Sequence, residues 1–341
     1  MEKNSLPTIS VLIPTLNAGR VLEECLKSIS IQDYPKDKIE IIIADGGSVD
    51  NTLKIAKKYG AKIFENPLKT GETGKAVALK NAKNELVALI DSDNILPNKD
   101  WLKRMVEPFD DREINGSEPW AFTYRKFDGF IDRYCALMGM NDPFCYFIGN
   151  YDHLNLITNK WTKLNLEEED KGSWLKLSLK FPNVPTIGAN GALFRRKFLI
   201  EGGVTKDYLF DIDVIPKLSR RRAIKYAKVK ISIVHVSCGS SSVRFTLKQL
   251  RRITDYLYYQ KRNLRIYPWQ KQDKTGLINF LLSCIFVFPL LYQSLRGYMK
   301  KPDPAWLFHP LACWITLFVY TTKVLSGFVT TNIQSREKWK Q

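Results

Sequence analysis

The N-terminal third of this 341-residue chain alternates short apolar runs with helical patterns, and no other feature constrains the fold as strongly. Segments between the runs carry apolar residues at helical spacing. The runs themselves have strand length and are Ser10–Pro14, Ile39–Asp45, Ala61–Asn66 and Glu85–Asp91. Strands that are apolar throughout and separated by helices form a parallel sheet covered on both faces. We therefore predict an α/β fold with a mostly parallel central sheet and helices on both faces.

Polar clusters follow three of the predicted strands: PTLN, DGGSVD and DSDN. In open α/β sheets, ligands bind at the carboxyl ends of the strands, so we expect these clusters to share one edge. The third cluster places Asp91 and Asp93 two residues apart. A divalent cation would relieve the repulsion between them, and Mg²⁺ or Mn²⁺ binds through carboxylates together with substrate phosphates. A solvated acidic turn or a helix cap is the alternative interpretation.

The composition narrows the classes of partner. A net charge of +17 indicates an anionic partner, which could be a nucleic acid, a membrane surface or a phosphorylated small molecule. The six cysteines form no CxxC pair, which argues against a zinc site and favours reduced thiols in a cytosolic redox compartment. The N-terminal residues MEKNSLPTIS lack the apolar core of a secretory signal.

The middle of the chain is less regular. We predict helices around 125–140 and 170–180, a strand or turn in Thr186–Arg196, and a strand that ends near His235. From Arg244 the sequence becomes basic and aromatic with a helical apolar stripe.

Two apolar segments follow, Leu277–Leu295 and Ala305–Val329, each close to the roughly 20 residues that span a bilayer. We predict a membrane hairpin or two interfacial helices, since a basic amphipathic stretch precedes them. Two buried helices of a soluble domain are the alternative.

With these motifs in order, the chain resembles the family 2 inverting glycosyltransferases of GT-A fold over roughly residues 8–236. The segments that carry the resemblance are SVLIPTLNAG, IEIIIADGGSVDNT, GKAVALKNAKNELVALIDSDN, TIGANGALFRRKFLIEGG, FDIDVIPKLSRRRAIKYAKV and VHVS. The resemblance implies that Asp93, Asp91 and His235 bind Mn²⁺ or Mg²⁺. The residues that it implies in binding the nucleotide sugar are Pro14, Thr15, Asn17, Asp45, Lys80, Asp91 and Asn190. The family often has two acids where this chain has Ala44 and Asp45.

The catalytic base is implied by the same resemblance. An inverting transfer needs a carboxylate to accept the proton of the acceptor hydroxyl. The family places it in a Glu-Asp motif, and this chain reads FDIDV, with Phe210 in place of the glutamate. Asp211 matches the usual base and Asp213 is the second candidate. Alternatively, both acids cap the following helix, since acids favour helix N-termini.

The resemblance implies a GT-A catalytic domain in residues 1–240, with a nucleotide-sugar half to about 110 and an acceptor half over 111–240. A basic interface segment (241–272) and a membrane hairpin with a basic tail (273–341) would follow. We expect a glycosyltransferase at the cytoplasmic face of the cell membrane. It would move a sugar from a nucleoside diphosphate, with UDP favoured, to a lipid-linked or saccharide acceptor in surface glycan or glycoprotein assembly.

Three other functions fit parts of the pattern. The acceptor could be polyprenyl phosphate itself, which is already ionised and hardly needs a base. The chain could also be an inactive nucleotide-binding scaffold, given the missing acids at Ala44 and Phe210. A nucleic-acid-binding protein would explain the net charge but neither DSDN nor the apolar C-terminus, so we expect no nucleic-acid partner.

Overall fold

A mixed sheet of ten strands organises the residues that this computed structural model describes, 6–203, 208–269 and 274–326. The strands are β1 (Ile9–Thr15), β2 (Ile39–Asp45), β3 (Lys62–Glu65), β4 (Leu86–Ile90), β5 (Asn94–Ile95), β6 (Gly116–Phe122), β7 (Glu167–Asp170), β8 (Trp174–Leu179), β9 (Asn190–Arg195) and β10 (Ile224–His235). The helices are α1 (Leu22–Ser30), α2 (Thr52–Lys58), α3 (Gly71–Asn81), α4 (Trp101–Val106), α5 (Phe130–Met138), α6 (Phe144–Ile148), α7 (Arg196–Glu201), α8 (Asp211–Ser219), α9 (Ser242–Lys261), α10 (Lys274–Phe286), α11 (Phe288–Lys300) and α12 (Phe308–Leu325). Short 3₁₀ helices lie at Lys36–Lys38, Glu107–Asp110 and Pro304–Leu307.

The first four strands are parallel in the order β3-β2-β1-β4, as the alternation of the sequence predicts. Every residue of β1 and β4 is buried, because helices cover both faces of this part of the sheet. β1 lies between β2 and β4, and its last residue, Thr15, is opposite Asp45 at the end of β2. The polar clusters after these strands therefore meet at one edge, and the predicted α/β fold is confirmed.

The second half of the sheet is mixed. β9 runs antiparallel between β4 and β6, and β10 is parallel to β6. The two-residue strand β5 pairs antiparallel with the end of β10, which sets Asn94 opposite His235. This pairing fastens the loop that contains Asp93 to the end of β10.

The helix predicted around 170–180 is wrong, because Trp174–Leu179 forms β8 and pairs with both β7 and β10. Leu175, Leu177 and Leu179 are buried while Lys176 and Ser178 are partly exposed, which is the period of two that a half-buried strand requires. The helix predicted around 125–140 is present as α5.

The C-terminal helices pack on α5, α6 and α9. A hydrophobic cluster joins Tyr134 of α5 and Phe245 of α9 to Trp306, Phe308 and Ala312. By length and composition, the segment Pro304–Leu325 is one described stretch that could cross a membrane, and α10 with α11 could count as a second, broken one. The break is sharp, since the two helices meet at 95° around Val287, whose φ is +63°.

Candidate active site

The loops after β1 and β2 are held together by Asp45. Its carboxylate accepts hydrogen bonds from Thr15 Oγ1 at 2.8 Å, from the Gly47 amide at 2.9 Å, and from the amide and hydroxyl of Ser48 at 2.8 and 2.6 Å. Asn17 adds a second tie, because its amide donates to Ser48 Oγ at 2.8 Å. The structure thus brings together three of the predicted nucleotide-binding residues. Both carboxylate oxygens of Asp45 accept hydrogen bonds from the loops that they join. A contact between Asp45 and a nucleobase stays a prediction.

The N-terminus of α3 lies against the end of β1. A Cβ atom added at Gly74 would lie 2.7 Å from Cβ of Pro14, so glycine permits this close approach. Thr70 caps the helix by accepting a hydrogen bond from the Thr73 amide at 3.2 Å. The first turns of α3 therefore point at the ligand edge of the sheet.

Lys75 lies in the second turn of α3 and is the lysine of this helix that faces the site. Its ammonium group lies 2.6 Å from Asp211 Oδ2, and both side chains are largely buried. Burial lowers the pKa of Lys75, but Asp211, Asp91 and Glu72 outweigh it and the net shift is upward, so the ammonium stays charged. Lys80 is exposed in the last turn of the same helix, at the opposite end from Lys75. The position in the helix could have separated the two lysines. Only the first turns of a helix that leads to a parallel strand lie at the ligand edge of the sheet, and Lys80 is in the last turn.

The acidic motif and the predicted histidine are adjacent. Asp93 Oδ2 lies 3.7 Å from His235 Nε2 and 3.6 Å from Lys248 Nζ. His235 Nδ1 is 2.7 Å from Asn190 Oδ1, so the amide oxygen accepts from the protonated Nδ1 and leaves the Nε2 lone pair facing Asp93. Asp91, the residue that follows β4, borders a neighbouring cavity.

The electrostatics at His235 suit a metal ligand. Burial lowers its pKa more strongly than Asp93 raises it, so the imidazole is neutral near pH 7. Two carboxylates and a neutral imidazole are donors that Mn²⁺ accepts, and the spacing of Asp93 and His235 leaves room for an ion between them. The residues present therefore fit a divalent cation.

A cavity of about 380 Å³ adjoins these side chains, and Asp91 and Asn190, the partner of His235, line it. Lys75 and Asp211 line it as well. The roof comes from α9 and the segment after it. The basic residues that the roof contributes are Arg251, Arg252 and Arg265. Sequence reasoning assigned this basic stretch to a membrane surface, whereas here part of its charge is directed into the cavity.

Asp213 is oriented differently from Asp211, although both are in the first turn of α8. Its carboxylate accepts from Arg265 Nε at 2.6 Å and from the Tyr267 amide at 2.8 Å. The described residues that line the cavity include Asp211 but not Asp213. Asp213 thus fastens the roof segment to α8.

A second acidic cluster adjoins the cavity, which Asp152 lines. Glu118, Asp152 and His153 present ligand atoms within 4.8 Å of one another. Lys228 already places an ammonium group there, 2.7 Å from Glu118 Oε2 and hydrogen-bonded to the carbonyl oxygen of Asp152. Burial raises the pKa of Glu118 to about 7 and that of Asp152 to about 6, and lowers that of His153 to about 3. The lysine supplies the positive charge that a metal ion would otherwise bring.

Comparison of the sequence and the fold with known proteins identifies the family to which the chain belongs. Residues 10–203 match the glycosyl transferase family 2 profile, and the chain belongs to that family. A stretch of 100 residues is 39% identical to the poly(ribitol-phosphate) beta-N-acetylglucosaminyltransferase TarS of Staphylococcus aureus, covering 28% of this chain and 17% of the relative. A stretch of 118 residues is 36% identical to a dolichyl N-acetyl-alpha-D-glucosaminyl phosphate 3-beta-D-2,3-diacetamido-2,3-dideoxy-beta-D-glucuronosyltransferase of Methanococcus voltae, covering 33% of this chain and 36% of the relative.

The matched stretches span about a third or less of these curated relatives. Among solved structures, the mannosyltransferase PcManGT of Pyrobaculum calidifontis, in complex with GDP-Man and Mn²⁺, aligns with a TM-score of 0.54 at 17% identity. That alignment covers 93% of this chain and 88% of PcManGT, and at this identity it establishes the GT-A fold. The protein is a glycosyltransferase of family 2.

Proposed function

We propose that this glycosyltransferase moves a sugar from a nucleoside diphosphate sugar, with inversion, to a lipid-linked saccharide acceptor. The observation that carries the proposal is the convergence of Asp91, Asp93, His235 and Asp211 at one edge of the sheet. The nucleotide would lie over the loops after β1 and β2. Thr15 and Asn17 would line its pocket together with Pro14 and Asp45.

Asp211 is the proposed catalytic base. Its carboxylate accepts the proton of the acceptor hydroxyl while that oxygen bonds to the anomeric carbon. The bond from the anomeric carbon to the diphosphate oxygen breaks on the opposite face, and its electron pair leaves with the nucleoside diphosphate. Lys75, 2.6 Å from Asp211, holds the carboxylate in a buried ion pair and adds positive charge to the donor side of the cavity.

Asp93, Asp91 and His235 would hold Mn²⁺ or Mg²⁺. When bound, the ion neutralises charge on the diphosphate. Asn190 fixes the imidazole of His235 so that its Nε2 lone pair points toward Asp93. Asn190 also borders the cavity, where it can contact the sugar.

The acceptor and location complete the proposal. The relatives TarS and the Methanococcus voltae enzyme are named for a polymer and a dolichyl phosphate acceptor, respectively. Their names support an anionic, phosphate-bearing acceptor for this chain. We further propose that the chain acts at the cytoplasmic face of the cell membrane, in surface glycan or glycoprotein assembly. The arginines in the cavity roof suit such an acceptor, since a guanidinium binds phosphate oxygens in bidentate fashion.

Direct transfer to polyprenyl phosphate is the second candidate. The observation that favours it is the engagement of Asp211 by Lys75, because an acceptor that is already ionised needs no proton acceptor. The two acceptors are separated by supplying each with the same sugar donor and analysing the lipid product by mass spectrometry.

A thermal-shift panel of UDP-, GDP- and dTDP-sugars, each with and without Mn²⁺, tests the proposal. A ligand at 100 times its Kd stabilises the folded state by about 2.7 kcal/mol, and we expect this for one sugar nucleotide in the presence of Mn²⁺. UDP-sugars are the favoured donors. If none of them raises the melting temperature while nucleic acid does, the proposal is wrong. Binding of a sugar nucleotide without turnover on any acceptor would instead indicate a scaffold.

A further inference from the structure

The outward faces of α10, α11 and α12 are apolar, while their inward faces hold polar groups. Large apolar side chains recur at helical spacing and are 37–80% exposed. Those on α10 and α11 include Leu277, Leu281, Ile285, Phe288, Leu291 and Leu295, and those on α12 include Leu311, Trp314 and Phe318. The side chains of Ser283, Ser294, His309 and Thr316 are buried. The inward faces also bury apolar side chains, such as Phe280 and Leu290, so these helices are apolar on both faces, unlike a helix on a water-soluble surface.

The three apolar faces adjoin, because α10, α11 and α12 contact one another pairwise. Single exposed apolar residues are ordinary, but soluble monomers rarely expose contiguous patches beyond a few hundred Å². Many exposed apolar side chains on three adjoining helices therefore indicate a surface that another apolar phase covers.

One face of α12 packs against α5 and α9 along the length of the helix. His309 Nδ1 accepts from Tyr134 Oη at 2.8 Å, and the Tyr320 hydroxyl donates to Asp142 Oδ2 at 2.5 Å. These contacts lie about 11 residues apart, or about three turns of helix. A helix whose one face is covered by a water-soluble domain over three turns cannot be surrounded by lipid.

α10 and α11 are too short to cross a bilayer separately. Each has 13 residues, or about 20 Å, against a hydrocarbon thickness of about 30 Å. Their 95° bend prevents them from acting as one straight span. α10 also packs closely on α6, since a Cβ at Gly276 would lie 2.6 Å from the Phe147 carbonyl oxygen.

The charges around this surface are basic. Lys274, Arg296 and Lys300 are exposed on α10 and α11. The acid between α11 and α12, Asp303, is buried and ion-paired with Arg133 at 3.0 Å. Basic residues beside an apolar helical face favour the headgroups of an anionic leaflet.

The C-terminal helices also contribute to the cavity. Phe144 and Tyr320 line the cavity, and the ring of Phe144 packs against Phe280 of α10 at 5.2 Å and against Tyr320 of α12 at 6.3 Å. The wall of the cavity is therefore built partly from the helices that carry the apolar surface.

We propose that α10–α12 form a monotopic docking surface that lies in the plane of one anionic leaflet, and that the acceptor lipid enters the cavity along it. The acceptor's phosphate and saccharide would occupy the cavity while its hydrocarbon chain stays in the bilayer. The role of the acceptor rests on the proposed function, whereas docking itself is measured without sugar transfer.

Vesicle flotation of the full chain tests the docking surface. We expect binding to vesicles of phosphatidylcholine with phosphatidylglycerol, weakened by salt and by omission of the anionic lipid. The double variant Ile285→Ser/Phe288→Ser should bind at least about 10-fold more weakly, since both side chains would leave the membrane interface. The matched control is Ile31→Ser/Ile200→Ser, which alters two exposed apolar residues outside these helices and should bind like the unaltered chain.

Trp314, 52% exposed on α12, reports the depth of insertion. The chain has eight tryptophans, so the signal of Trp314 is obtained by subtracting the emission spectrum of Trp314→Phe from that of the unaltered chain. Quenching by lipids brominated near the headgroup should exceed quenching by lipids brominated near the chain ends. The reverse order would mean that α12 spans the bilayer and would overturn the in-plane arrangement.

Two other results would also overturn the proposal. One is equal vesicle binding by the Ile285/Phe288 variant and its control. The other is a stable dimer in lipid-free solution that dissociates in that variant, with no binding to vesicles, because the surface would then be an interface between copies. A chain that fails to float but still shows the Mn²⁺-dependent thermal shift with a sugar nucleotide refutes docking and leaves the proposed function standing.

Discussion

Lys75 and Lys80 differ by five positions on one helix, yet the fold gives them different surroundings. Lys75 is buried against Asp211, and Lys80 is exposed. Removing one partner of a buried ion pair leaves an uncompensated charge. Lys75→Met should therefore lower the free energy of unfolding by about 3–5 kcal/mol and reduce sugar transfer. Urea unfolding and a transfer assay check this, and Lys80→Met, the matched control, should stay within about 0.5 kcal/mol.

Asp93 is the residue on which metal dependence is expected to rest. Asp93→Asn keeps the shape but removes a charge beside His235, so Mn²⁺ affinity measured by calorimetry should fall by more than about 100-fold. The exposed Asp100, whose carboxylate caps no helix, provides the control Asp100→Asn. EDTA should abolish turnover of the unaltered enzyme. Full activity of Asp93→Asn in EDTA would contradict a metal-dependent transfer.

His309 gives the protein a stability that depends on pH. Burial lowers its pKa to about 3, so the unfolded chain takes up a proton below pH 6.5 that the folded chain does not. The contribution of His309 is therefore complete above pH 6.5 and is lost as the pH falls toward 3. The stability difference between the unaltered chain and His309→Gln should shrink by about 1.4 kcal/mol between pH 7.5 and 5.5. Urea unfolding at both pH values measures the stability difference. If it is the same at the two pH values, the pKa of His309 is not lowered in the folded protein.

At the scale of elements, α8 carries two acids with separate roles. Asp211 faces the cavity, while Asp213 holds the roof segment through Arg265. Asp211→Asn should lower kcat by about 10²–10⁴-fold, the range for loss of a general base. Asp213→Asn should instead destabilise the chain by about 3–5 kcal/mol, because it breaks a buried pair.

A double-mutant cycle with Arg265→Gln isolates the second effect. If Asp213 acts through Arg265, the two substitutions together should cost little more stability than either alone. Additive losses in stability would show that the ion pair does not connect α8 to the roof. A loss of kcat in Asp213→Asn with unchanged stability would return Asp213 to the list of candidate bases.

At the scale of the whole molecule, the C-terminal helices share a core and a cavity with the catalytic half. Removing the residues after Tyr267 deletes Tyr320 from the cavity and uncovers Phe245. We expect the shortened chain to aggregate or to melt at a lower temperature, and to lose transfer activity, because burial of this core stabilises both parts. Removing only the residues after Ser326 is the control and should leave melting and activity unchanged. A soluble, active chain that ends at Tyr267 would show that the helices serve only as an attachment.

The sequence by itself determined the elements whose signal is local. Apolar runs of strand length and helical spacing between them predicted β1 to β4 and the shared edge of their polar clusters, because a buried parallel sheet leaves no other arrangement of such runs. The pairing of Asp93 with His235 followed from the resemblance to a family, and the structure brings the two residues together through the pairing of β5 with β10.

Only the tertiary structure decided which side chains face the cavity. Lys75 rather than Lys80, and Asp211 rather than Asp213, lie there because helix packing fixes the direction of each turn. The basic stretch of α9 became the roof because its buried face packs on the catalytic half, and Trp174–Leu179 became a strand because β7 and β10 flank it. These arrangements depend on contacts between segments far apart in the sequence, such as Lys75 with Asp211 and β8 with β10. A local sequence pattern carries no information about such contacts.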